Sequence, residues 1–357
     1  MKLNTAKKLT AGALALSMMF AMAVPMAFAE SMPEVDPLAP HITKKYTATN
    51  ADTTSPTENF SFTATATKVE HAGVKADKTV VTVSDAPELT IADASYAAGG
   101  ATVDGASKTL AISHTAPFPN VGVYYYTVAE TASTYAGVTT HEGDMVLKVT
   151  VSHDKTTGDL KETYAFYTQT DGRGNPKGDK GLAVENTYSA GSLTLTKEVK
   201  GEMRDEQKEF SFDVEFTAPE KKTVESTITI IVAGDQEHPL TIAPSDWASG
   251  KVKKTVSLKA GQSAIFENVP YEVTYTVTEN GVDENGKVGE YAVGYDENQN
   301  GEIKAKNITT IVTNEIKTEI DTGVILDNAP YMLMLAVPGK PYSPLKLGVP
   351  PCFTMKS

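Results

Sequence analysis

The stretch Gly122-Val-Tyr-Tyr-Tyr-Thr-Val-Ala-Glu130 has an ending that returns later in the chain as Tyr275-Thr-Val-Thr-Glu279. In an extended strand, alternate side chains share a face. Residues 122, 124, 126, 128 and 130 are then Gly, Tyr, Tyr, Val and Glu; residues 271, 273, 275, 277 and 279 are Tyr, Val, Tyr, Val and Glu. Each stripe is core-like until its last residue, which places a carboxyl on the face that should be buried. A buried acid is costly unless something pairs with it. Meeting that cost twice predicts a repeated domain with a repeated partner for the acid.

The surrounding text supports a repeat. From 40 to 316, Thr, Val, Tyr and Phe alternate with polar residues and are punctuated by Gly, Asn, Asp and Pro, without sustained helical periodicity. The spacing predicts an all-β chain of packed sandwiches, with short helical turns at Pro87–Ala97, capped by Asp85, and at Ser245–Ser249. Each unit opens with a Lys on an inward stripe: Ile42, Lys44, Tyr46, then Leu193, Leu195, Lys197, Val199. Lys45 is the alternative in the first unit, but the parity of Ile42 and Tyr46 selects Lys44. A paired aromatic strand follows, Phe60-Ser61-Phe62 and Phe210-Ser211-Phe212, and then the Glu strand. Each unit closes on an Asn among apolar residues of one parity: Leu182, Val184, Asn186, Tyr188, then Val312, Asn314, Ile316. Lys44 precedes Glu130 by 86 residues and Lys197 precedes Glu279 by 82. The expected domains are 40–188 and 190–316, joined by a short linker near Ser189–Ser192 that favours a stiff line.

Lys, Glu and Asn together make a poor core, because desolvation leaves a buried ion pair weak as a stabiliser. A reaction accounts for them better. Burial lowers an amine's pKa and raises a carboxyl's, so the two can coexist uncharged. The amine can then attack the Asn carboxamide while the protonated Glu hydrogen-bonds its oxygen and relays protons. Ammonia leaves and an isopeptide bond remains. Phe60, Phe62, Tyr124, Phe210, Phe212 and Tyr275 are candidates for the dry surroundings. In the competing reading the three residues are surface groups, one register out of phase. The crosslink would close a loop of more than a hundred residues, worth about 4–5 kcal/mol on a chain-entropy basis.

Composition narrows the setting. Lys2, Lys7 and Lys8, the apolar Leu14–Val24 and Ala27-Phe28-Ala29 read as a cleaved secretory leader over 1–29. The formal charge is −13, and losing a leader with three lysines and no acid makes it −16, which argues against nucleic acid. Cys352 is the only cysteine, so an exported chain of this size has no internal disulfide. His41, His71, His114, His141, His153 and His238 show no metal-ligand spacing, and neither a nucleophile elbow nor a Walker loop occurs. Asp296-x-Asn298-x-Asn300-Gly301 imitates the start of an EF-hand loop, but its twelfth position is Asn307 rather than Glu, so a hairpin turn is expected. The sequence therefore implies no cofactor, no metal and no multiple-turnover enzyme.

Leu193-Thr-Leu-Thr-Lys197, the run from Leu258-Lys-Ala-Gly-Gln262 to Phe266-Glu-Asn-Val-Pro270, Tyr275–Glu279 and Val312-Thr-Asn314 resemble CnaB-like isopeptide domains. The first unit, with Gly122–Glu130 and Val184-Glu-Asn186, resembles the FctA-type domain of streptococcal backbone pilins. The resemblance implies two tandem immunoglobulin-like, CnaB-type sandwiches in a pilus shaft subunit. It implies autocatalytic crosslinks Lys44–Asn186 assisted by Glu130 and Lys197–Asn314 assisted by Glu279. The implied partners are other pilin subunits in a covalent homopolymer, a class C sortase, and peptidoglycan or a basal pilin at the cell wall. In the family a surface lysine before the first domain's terminal Asn can join subunits; Lys177 and Lys180 occupy that region. Ile320, Asp321, Thr322 and Gly323 resemble an LPxTG-type sorting motif, with Asp321 departing from the pattern. Residues 317–357 read as a degenerate sorting signal and atypical tail, because the apolar run Ala329–Val337 is too short to span a bilayer and no terminal basic cluster follows. A surface adhesin binding a host glycan or matrix protein is the alternative, though no third, ligand-binding domain is visible.

Overall fold

A computed structural model describes residues 40–317, apart from 172, 179 and 182. The leader at 1–29, Leu182, the motif Ile320, Asp321, Thr322 and Gly323, the apolar run after it and Cys352 lie outside the described residues. The described chain is almost wholly β, with two short 3-10 turns at Val83–Asp85 and Pro244–Asp246. Two compact units result. The first takes the chain up to Thr47 with 57–133 and 139–187; the second takes 48–56, 134–138 and everything from Tyr188. Two stretches that precede the linker in sequence therefore fold with the second unit. Asn268 is one reason. Its carboxamide oxygen accepts the Thr54 N–H at 3.0 Å, and its nitrogen donates to the carbonyls of Thr54 and Thr227 at 3.1 and 3.0 Å. Another is Ala136, whose N–H donates to the Thr223 carbonyl.

In the first unit one sheet runs in the order Leu89–Ile91, Ala106–His114, His41–Ala48, Ala183–Tyr188, Val138–Thr139. The other runs Leu160–Tyr167, Met145–His153, Gly122–Glu130, Phe62–Glu70. His41–Ala48 alternates strictly, with Ile42, Lys44 and Tyr46 inside. The Lys44 strand and the Asn186 strand, first and last in this unit, are neighbours in one sheet, while the Glu130 strand belongs to the other. Tyr46, Phe60 and Tyr96 stack edge to face, with centroids 5.0 to 5.9 Å apart, as aromatic quadrupoles favour.

The second unit repeats this plan. Ala190–Lys200 and Asn307–Glu315 lie parallel at the centre of a seven-stranded sheet, with Lys197 beside Val312 and Val199 beside Asn314. Thr274–Glu279, carrying the acid, pairs with Phe210–Thr217 in a separate four-stranded sheet. Leu193, Leu195, Phe212, Val214, Phe266 and Val277 fill the core between them.

Three local expectations change. Pro87–Ala97 forms two short strands, Leu89–Ile91 and Ala94–Tyr96, because Leu89, Ile91, Ala94 and Tyr96 are drawn into the core at period 2. Asp85 ends the preceding 3-10 turn, where its carboxylate accepts the Thr82 N–H at 2.9 Å and hydroxyl at 2.8 Å. The second turn falls at Pro244–Asp246, where the proline supplies the φ the turn needs, one residue earlier than expected. The Asp296 segment is a turn that crosses between sheets rather than a hairpin: Tyr291–Tyr295 lies in the seven-stranded sheet and Asn300–Glu302 in the other. The Asp296 carboxylate is already engaged, by the Asn298 N–H, the Thr310 hydroxyl and the Ile311 N–H.

Gly201 ends the Lys197 strand at φ 109°, and a Cβ there would overlap the Ile316 carbonyl oxygen. Gly201→Ala is expected to lower the stability of the second unit by about 1–3 kcal/mol, read by denaturant unfolding in an Asn314→Ala background.

Candidate functional site

Alternation delivers the polar residues to the interior. Lys44, Asn186, Lys197, Asn314 and Glu279 are buried, and the Glu130 side chain is fully buried although its backbone reaches solvent. Lys45 faces outward, paired with Glu185 at 3.1 Å and 32% exposed, so the inward amine of this strand is Lys44.

In the first unit Lys44 Nζ lies 2.7 Å from Glu130 Oε1, and the Asn186 carboxamide nitrogen donates to the same oxygen at 2.7 Å. In the second, Lys197 Nζ donates to Glu279 Oε2 at 3.1 Å and Asn314 Nδ2 donates to Oε1 at 2.6 Å. Each carboxylate thus holds its amine and its carboxamide together. The carboxamide presents its nitrogen to Glu in both units, not the oxygen expected from the sequence. The aromatic pairs match as well. Phe62 stands opposite Glu130 and Phe212 opposite Glu279 in the strand register. Lys44 Nζ sits 4.7 and 5.7 Å from the Phe60 and Phe62 ring centres; Lys197 Nζ sits 4.4 and 5.3 Å from those of Phe210 and Phe212. These four rings keep water from the amines while their faces tolerate a cation. Tyr124 and Tyr275 are buried on the Glu stripes, their hydroxyls donating to the Asn120 and Asn298 carbonyls.

Burial pushes the Lys44 ammonium down to about 8, against the opposing pull of Glu130 and the smaller pulls of Glu185 and Glu58. Desolvation likewise brings Lys197 down to about 8, opposed by Glu279. A buried amine of this kind is within reach of its neutral, nucleophilic form near neutral pH.

Several neighbours have no mark in the residue pattern. Tyr96 donates from its hydroxyl to the Lys44 carbonyl at 2.9 Å, which fixes the backbone of the lysine. The Tyr295 hydroxyl accepts the Glu279 N–H at 2.9 Å. The His141 N–H donates to Asn186 Oδ1 at 2.9 Å and to Glu130 Oε2 at 3.3 Å. A search by residue type passes over His141, because a backbone donor has no signature in sequence. Lys177, on the short strand Pro176–Lys177, and Lys180 are both exposed and apart from the buried triad. Among the described residues no group of three or more His, Cys, Asp or Glu is arranged to hold a metal.

Residues 40–189 match the family described as FctA, the Spy0128-like isopeptide containing domain. A pilin from Streptococcus pyogenes serotype M1 is 27% identical over 249 residues, covering 63% of this chain and 67% of that protein. Over its first unit the chain is similar to the FctA family of pilins. Residues 191–316, whose motifs resemble CnaB-like domains, match a family described only as a domain of unknown function (DUF7601). The crystal structure of the major pilin from S. pyogenes is similar at 20% identity and a TM-score of 0.49, covering 77% of this chain and 97% of that one. The major pilin T3.2 of the same species gives 19%, 0.46, 78% and 98%. The similarity to pilins supports a structural pilus subunit.

Proposed function

We propose that this chain is a pilin, a shaft subunit whose two domains, 40–188 and 190–316, are each locked by a self-formed isopeptide bond. The bonds join Lys44 to Asn186 and Lys197 to Asn314, with Glu130 and Glu279 as the acid–base groups. One observation carries this reading: the same three residue types converge on a single buried carboxylate twice, in units built from different sequences.

The chemistry balances within each site. The neutral Lys amine attacks the Asn side-chain carbonyl carbon, and the π electrons move onto Oδ1. The Glu carboxyl takes the proton released by the attacking nitrogen and returns a proton to Nδ2, which already faces it. The C–N bond to Nδ2 breaks, ammonia departs, and a secondary amide joins the two side chains. Each enzyme-like group acts once, on its own chain.

Mechanics follow from strand order. The first and last strands of each unit are neighbours, so a covalent tie between them carries tension past the rest of the fold. No reductant cuts that tie, which suits an exported chain without internal disulfides. The leader at 1–29 directs export, and the segment Ile320, Asp321, Thr322 and Gly323 is presented to a class C sortase as a variant motif. The sortase joins it to Lys177 or Lys180 of the next subunit, and the finished fibre is attached to peptidoglycan or a basal pilin. No host ligand is needed for this role.

The intact mass of the purified chain is expected to fall short of its sequence mass by two ammonias, and by one after Glu130→Ala or Glu279→Ala; an unshifted wild-type mass sinks the crosslinks. With class C sortase, laddering on a denaturing gel is expected to vanish when Lys177 and Lys180 are both replaced by Arg. A ladder that persists assigns the joint to another lysine. The pH dependence follows the lysine. Raising the pH through the lowered lysine value of about 8 converts the ammonium into the neutral nucleophile. Crosslinking during refolding is therefore expected to accelerate as the pH rises towards about 8 and to level off above it. Timed acid quenches read by mass follow the rate, and a rate that falls over the same range would overturn attack by the neutral amine.

A further inference from the structure

We propose that the backbone N–H of His141 is the oxyanion donor for the Asn186 carboxamide in formation of the Lys44–Asn186 bond. The inference rests on the crosslink reading above and adds a group to it that neither the Lys, the Glu nor the Asn supplies.

The geometry is that of a donor aimed at developing charge. His141 N lies 2.9 Å from Asn186 Oδ1, inside the range at which oxyanion donors act. The same N–H has a longer branch, 3.3 Å, to Glu130 Oε2. These two acceptors change charge in opposite directions during the reaction. As Lys44 attacks, Oδ1 becomes an alkoxide; as Glu130 takes the amine's proton, its carboxylate loses charge. The shared N–H is then drawn from Oε2 towards Oδ1. Its hydrogen bond is stronger in the transition state than in the ground state, the condition for lowering a barrier.

The donor also settles which way the carboxamide points. An N–H can face only the oxygen, so Nδ2 is turned to Glu130, where the leaving nitrogen needs its proton. His141 sits between the strands Val138–Thr139 and Met145–His153. Its ring Nε2 hydrogen-bonds the Thr168 carbonyl at 3.1 Å, which anchors the segment that carries the donor. The imidazole is thus a tether, and the peptide group beside it is the reactive partner.

The second unit provides a reference within the same chain. Asn314 Oδ1 is buried and has no hydrogen-bond partner among the described residues. Formation of the Lys197–Asn314 bond does not draw on His141, so its rate is an internal clock.

The test follows both crosslinks separately. Chain recovered unfolded and uncrosslinked is refolded by dilution, quenched in acid at intervals, digested, and the two branched peptides quantified by mass spectrometry. His141→Pro, which removes the N–H, is expected to slow the Lys44–Asn186 bond by a factor of about 100 and leave the Lys197–Asn314 bond unchanged. His141→Ala, which keeps the N–H and loses the tether, is expected to retain most of the rate. An amide-to-ester replacement at position 141, by an α-hydroxy acid, removes the donor without a proline ring and decides the matter if His141→Pro fails to regain its near-ultraviolet circular dichroism. Wild-type rates in the ester, or equal slowing by His141→Ala and the ester, would overturn the donor role while leaving the crosslinks standing. Absence of both branched peptides from the wild-type chain would remove the crosslink reading itself, and the donor with it.

Discussion

A buried carboxylate that must satisfy an amine and a carboxamide at once is the constraint on which both units are organised. Glu130 and Glu279 enter from one sheet; the Lys and Asn enter from adjacent strands of the other. That division requires two facing sheets, a fixed register in each, and first and last strands lying side by side. Had any strand slipped by one residue, the polar group would face solvent and its partners would be left unpaired in the core. The aromatic residues follow from the same demand. Phe60 with Phe62, and Phe210 with Phe212, close over the amines and keep the site dry.

A buried ion pair by itself gives little stability, because desolvation of two charges offsets their attraction. The arrangement makes sense as the starting state of a reaction. Desolvation lowers both lysines towards neutrality, and the carboxyl is placed to move a proton from one nitrogen to another. The proposed crosslink would shift stability from a marginal electrostatic contact to a covalent bond between the first and last strands of each unit.

The two units reach the same centre with different details. Lys44 and Asn186 share one oxygen of Glu130, whereas Lys197 and Asn314 take opposite oxygens of Glu279. His141 supplies a backbone donor in the first unit, and the Tyr295 hydroxyl accepts the Glu279 N–H in the second. The polar core is common to both, and its backbone supports are local solutions of separate loops.

Much of this is legible in the sequence, for a physical reason. Strand alternation has a period of two, so a Lys, a Glu or an Asn on an apolar stripe is marked for burial by its parity alone. The β character, the six residues of the two triads, the choice of Lys44 over Lys45 and the four phenylalanines all follow from that parity. Pro87–Ala97 reads as a helical turn in sequence because short segments carry too few periods to separate a turn from a strand; packing of Leu89, Ile91, Ala94 and Tyr96 decides it. The folding of 48–56 and 134–138 with the second unit depends on hydrogen bonds such as that from Thr54 to Asn268, 214 residues apart, which leave no local pattern. Only the tertiary structure turns the Asn nitrogens to the carboxylates and brings the His141 N–H to Asn186, because a peptide donor is the same at every position and acquires meaning only from what the fold sets in front of it.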